Sequence, residues 1–109
     1  MYERIAKLVE RLYEKTEAKT LLWEKNAHGN FETSFPNYTV ELSYNDGDVI
    51  LAIYNDEGDI VESILSNTFL QSMDLIDCER KMRELYRMAR RTALGSDEAV
   101  ERLISALEE

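Results

Sequence analysis

Residues 38–65 read YTVELSYNDGDVILAIYNDEGDIVESIL, three apolar-rich runs separated by two acidic breaks that each contain a glycine. Tyr38, Val40, Leu42 and Tyr44 alternate with Thr39, Glu41 and Ser43, the two-residue period of a strand with one face in water. Residues 49–54 are apolar without interruption, which predicts a middle strand covered on both faces. Asn45-Asp46-Gly47 and Asn55-Asp56-Glu57-Gly58 hold residues that tolerate positive φ, so each is expected to close a hairpin. Upstream, residues 20–25 (TLLWEK) read as a strand and residues 26–30 as a turn, leading into the alternating Phe31, Thr33 and Phe35. Pro36 cannot donate to a ladder and fits either a tight connection or a bulge near an edge.

On both sides of this region the period changes to that of a helix. Tyr2, Ile5, Leu8, Val9, Leu12 and Tyr13 predict a helix over residues 2–17, with Glu3, Lys7, Glu10, Arg11 and Glu14 outward. Ser66, Asn67 and Thr68 form a polar break able to cap a helical turn. A long helix is expected over residues 72–94, because Leu75, Cys78, Met82, Leu85, Tyr86, Ala89 and Ala93 share one face. Gly95 is a natural helix stop and Ser96 a natural cap for a last helix, with Asp97 and Glu98 in its first turn. Val100, Leu103, Ile104 and Leu107 are expected to be its buried stripe. The order predicts an α+β fold in a single domain, residues 1–109. It has an N-terminal helix, an antiparallel meander of four to five strands and two C-terminal helices.

Composition narrows the function classes. The chain has 109 residues, 44% hydrophobic and 32% charged, enough for one core and too apolar for wholesale disorder. The sequence carries no run long and apolar enough to span a bilayer, and the charged N-terminus lacks the apolar centre of a signal peptide. One Cys and no Cys pair point to a reducing compartment, so a cytoplasmic location is expected, in a cell or a virus-infected cell. The net charge of −9 disfavours non-specific binding to nucleic acid or anionic membranes.

That charge is segregated. From Arg80 to Arg91 there are six bases (Arg80, Lys81, Arg83, Arg87, Arg90, Arg91) against Glu84 alone, a local net of +5. Taking +5 from −9 leaves −14 on the rest of the chain. Arg80, Arg83, Arg87, Arg90 and Arg91 fall on one stripe opposite the expected apolar face, and Arg suits two-pronged contact with carboxylates or phosphates. The stripe is therefore either a docking surface for an acidic or phosphate-bearing partner, or a solvated face that offsets an acidic sheet.

Other candidate chemistry is thin. Asp46, Asp48, Asp56, Glu57, Asp59 and Glu62 are best read as turn and solubility residues. Successive turns of a meander lie at opposite ends of the sheet, roughly 20 Å apart for a strand of this length. His28 is the only histidine, so no His-rich metal site can form in one chain. Cys78 falls on the apolar helix face, where a thiol behaves as a small hydrophobe. No Gly-x-Ser-x-Gly elbow or Gly-rich phosphate loop is present. The aromatics Trp23, Phe31, Phe35, Tyr38, Tyr44 and Tyr54 lie among Glu24, Glu32, Glu41, Asp46 and Asp48, the wrong field for stacking nucleic-acid bases.

Two stretches resemble a recurring pattern in small hypothetical bacterial and phage proteins. One is Lys19-Thr20-Leu21-Leu22-Trp23-Glu24 followed by Phe31, Thr33, Phe35 and Tyr38-Thr39-Val40. The other is Leu85-Tyr86-Arg87-Met88-Ala89-Arg90-Arg91 followed by Ala93-Leu94-Gly95 and Asp97-Glu98-Ala99. The resemblance implies a stand-alone small protein of prokaryotic or viral origin, and it brings no activity or site with it.

The leading expectation is a non-enzymatic interaction or accessory protein that self-associates as a homodimer, without cofactor or metal. The expected contacts are Arg83, Arg87, Arg90 and Arg91 for an acidic partner, with Ile50 and Tyr54 for apolar burial. Ile50, Ala52 and Tyr54 are apolar where Thr39, Glu41 and Ser43 on the neighbouring strand are mild, so part of that sheet face should be covered by a helix or another chain. The alternative is a nucleic-acid-directed protein, through phosphate binding by the Arg stripe or through acidic mimicry of DNA. A small enzyme with a site assembled only in three dimensions is a third reading.

Overall fold

The computed structural model describes residues 2–109. It contains helix α1 (Glu3–Glu17), strands β1 (Glu24–Lys25), β2 (Phe31–Phe35), β3 (Tyr38–Asn45), β4 (Asp48–Asn55) and β5 (Ile60–Leu65), then α2 (Ile76–Leu94) and α3 (Ser96–Leu107). Two short 3-10 turns, Ser66–Gln71 and Met73–Leu75, connect β5 to α2. The five strands form one antiparallel sheet in chain order, so the α+β meander expected from the alternation is the fold observed.

Turn chemistry sets the sheet register. Phe35 pairs with Tyr38 across Pro36-Asn37, so Pro36 marks a tight connection, with Asn37 in the left-handed region. Asn45 pairs with Asp48 across Asp46 (φ 53°) and Gly47 (φ 88°), two successive positive φ values that match the twist of a two-residue hairpin. In the β4–β5 loop the Asn55 side-chain oxygen accepts the Glu57 and Asp59 amides at 3.0 and 2.9 Å, holding the turn.

One sheet face is covered. Phe31, Val40, Leu42, Val49, Leu51 and Ile64 point to α2 and join Cys78, Met82, Leu85 and Ala89 in the core. Tyr86 of α2 lies against Phe31 and Tyr44, with ring centroids 5.7 and 5.9 Å apart. α1 adds Val9 and Leu12 by packing on α2, and the buried Trp23 indole donates to Thr16 Oγ1 at 2.9 Å. Helix α2 therefore joins the sheet, α1 and the 3-10 turns.

Several local expectations change. The strand expected over residues 20–25 is only Glu24–Lys25, because the Thr20 amide and hydroxyl both bond back to the Lys15 carbonyl to close α1. Lys19 takes a positive φ of 61° at that stop, without a glycine to announce it. The long helix begins at Ile76, and residues 73–75 belong to a 3-10 turn. Gly95, not Ser96, is the residue preceding α3, and the Ser96 hydroxyl caps nothing. β4 carries helix on one face only. On the other face Ala52 is buried while Ile50 and Tyr54 are half-buried, shielded by neighbouring side chains. Largest of all, the stripe Val100, Leu103, Ile104 and Leu107 is not buried: no residue of α3 is.

Candidate interaction surfaces

The six residues expected to bind a partner do not form one surface. Ile50 and Tyr54 alternate with Val49, Leu51 and Ile53, so they lie on the sheet face turned away from α2. Arg83, Arg87, Arg90 and Arg91 are on α2, in the helical layer.

Most of the Arg stripe is already engaged. Arg80 reaches Asp77 at 3.0 Å, and that hydrogen bond holds the Asp77 carboxyl below the usual carboxylate range. Arg83 pairs with Glu79 and donates to the Gly47 carbonyl at 2.9 Å, with Asp48 at 3.9 Å. It therefore ties α2 to the β3–β4 turn. Arg91 bonds Asp97 at 2.6 Å across the Gly95 corner. Arg87 is 3.7 Å from Glu84 and 71% exposed, a loose pair in water. Among the described residues Arg90 has no ion-pair partner. Two of the four expected contact arginines, Arg83 and Arg91, thus hold the fold together, and Arg87 and Arg90 remain available.

On the uncovered sheet face a polar network surrounds Glu41, which is only 8% exposed. Its carboxylate accepts from Asn26 Nδ2 at 2.7 Å, Asn30 Nδ2 at 3.4 Å and the Tyr54 hydroxyl at 3.2 Å. Asn26 also donates to Glu32, and its own oxygen accepts the His28 and Asn30 amides. Burial, then the Glu41 charge, push the Tyr54 phenol above its ordinary range. An open cleft of about 520 Å³ runs over this network, with His28 and Asp56 on its rim. The network satisfies its own donors and acceptors and fixes the β1–β2 turn against the sheet. No sequence signal singled it out, since the carboxylate and its amide donors are far apart in the chain.

Cys78 and His28 lie in different settings. Cys78 is buried between α1 and α2, its sulfur 3.8 Å from the Ala6 carbonyl, and burial pushes its thiol up to about 11. His28 sits exposed in a turn. Among the described residues no group of three His, Cys, Asp or Glu side chains is placed to hold a metal, and no helix is long and apolar enough to cross a membrane.

The third surface is α3. Val100, Leu103, Ile104 and Leu107 recur at i, i+3, i+4 and i+7, and Leu103 and Leu107 are 63% and 85% exposed. Leu94, in the last turn of α2, is also exposed. The missed signal lies in the connection. Antiparallel helix pairs need loops of two to five residues, whereas α2 and α3 are separated by Gly95 alone. With φ 67° at that glycine the chain turns a corner, and α3 leaves the body before its stripe can fold back on α2.

No protein-family model, curated protein or solved structure matches the chain.

Proposed function

We propose that this protein is a non-enzymatic interaction protein that self-associates, with a second copy of the chain covering the apolar stripe of α3. The solvent-exposed stripe Val100, Leu103, Ile104 and Leu107 is the observation that carries this reading. A helix of 12 residues is marginal alone in water and is normally held by burying its apolar face. Here that face meets solvent. Each of these side chains contributes on the order of 1 kcal/mol when the remainder of its surface is covered. A two-fold interface doubles the set and brings the gain to the scale of the roughly 4–15 kcal/mol cost of association.

The non-enzymatic part of the reading is supported by the thiol pushed away from nucleophilic ionisation and by polar groups that satisfy one another. Phosphate binding by the Arg stripe is weakened by the carboxylates already on Arg80, Arg83 and Arg91. The single buried thiol fits a cytoplasmic setting.

Light scattering on the eluting protein tests the reading. Wild type should have the mass of two chains, and Leu103→Glu combined with Leu107→Glu the mass of one, with the circular dichroism of the body kept and no more than the helical signal of α3 lost. A wild type with the mass of one chain at every concentration would end it.

A further inference from the structure

We infer that the second copy docks antiparallel, α3 against α3, so that Glu108 and Glu109 of one protomer meet Arg90 and Arg87 of the other. This rests on the self-association proposed above and adds its orientation and its charged contacts.

Two apolar stripes of equal length can overlap in parallel or antiparallel, and charge separates the two arrangements. Residues 97–109 hold five acids (Asp97, Glu98, Glu101, Glu108, Glu109) and one base, Arg102. Arg102 is already paired with Glu98 at 2.7 Å. The last turn of α3 has no base, and Glu108 and Glu109 follow it directly, at the negative end of the helix dipole where acids are unfavourable. Parallel overlap would set these acids beside their own copies. Antiparallel overlap sets them beside the partner's Gly95 corner.

That corner is basic. Residues 87–91 hold Arg87, Arg90 and Arg91 without an acid. Arg91 is occupied by Asp97, while Arg90 is unpaired among the described residues and Arg87 only loosely held. Arg87, Arg90 and Leu94 fall at i, i+3 and i+7, so the two available cations lie in line with the exposed Leu94. Leu94 directly precedes the Gly95 corner, and the exposed α3 stripe follows it in the chain. In chain order the exposed apolar residues are thus preceded by the available cations Arg87 and Arg90 and followed by the acids Glu108 and Glu109, while Asp97 and Glu98 are already held by Arg91 and Arg102. Such a patch is complementary to itself only after a two-fold rotation that reverses α3.

A charge-exchange experiment tests the orientation. Arg87→Glu with Arg90→Glu in one chain, and Glu108→Lys with Glu109→Lys in another, change only exposed side chains. Each variant alone should self-associate about tenfold more weakly than wild type by sedimentation equilibrium at low salt. An equimolar mixture should form heterodimers at near wild-type affinity, since each interface then pairs opposite charges. Wild-type affinity in both variants would overturn the antiparallel docking and leave self-association standing. A wild type that never dimerises would overturn both.

Discussion

Helices α2 and α3 carry the same apolar period with opposite outcomes. In α2, Cys78, Met82, Leu85 and Ala89 recur at helical spacing and are buried against the sheet and α1. In α3, Val100, Leu103, Ile104 and Leu107 recur at the same spacing and stay in solvent. The difference lies outside either pattern. α2 is reached through the 3-10 turns, whose Ser66 and Asn67 are clamped to Asp48, so it enters across the sheet. α3 follows a one-residue corner and has nowhere on its own chain to go. An amphipathic helix states that its face wants cover; the connection before it decides whether that cover comes from the same chain.

Substitutions can break this contrast, starting with the largest effect. Leu85→Ala empties a fully buried site between α2 and the sheet, and about 2–5 kcal/mol of stability should be lost in urea unfolding. Asp48→Ala frees the Ser66 hydroxyl and the Asn67 amide groups from their acceptor. About 1–3 kcal/mol should go, read from the same transition. Gly95→Ala meets no neighbouring atom but forces a side chain into positive φ. About 1 kcal/mol should be lost. Leu103→Ala should cost under about 0.5 kcal/mol in dilute, monomeric protein, although the chemistry resembles that of Leu85→Ala.

pH offers a separate check on the buried side of the contrast. The Cys78 thiol is raised from 9.0 to about 11 in the folded chain, so folding favours the protonated form. Its contribution to stability is complete below pH 9 and is lost as pH rises toward 11. The urea midpoint should fall across that window, and the fall should be smaller in Cys78→Ala.

Much of the body was legible because its determinants are local. The alternation of Val40, Leu42 and their neighbours, the Asp46-Gly47 turn and the face shared by Met82 and Leu85 each follow from residues close in sequence. The stop at Lys19 was hidden because a non-glycine residue adopts the left-handed region there. The Glu41 network was hidden because Asn26, Asn30 and Tyr54 meet only once three strands are in register. The Arg stripe was legible as charge, but its division into fold-holding Arg83 and available Arg87 and Arg90 depends on where the Gly47 turn and Glu84 fall.

Backbone hydrogen exchange, followed as protein concentration is raised from the nanomolar to the high micromolar range, tests the cover of α3 most directly. Amides of α2 should be protected at every concentration, since their cover is intramolecular. Amides of α3 should exchange freely in dilute protein and become protected as copies associate. Protection of α3 that does not change with concentration, whether absent or complete throughout, would contradict a second copy as its cover.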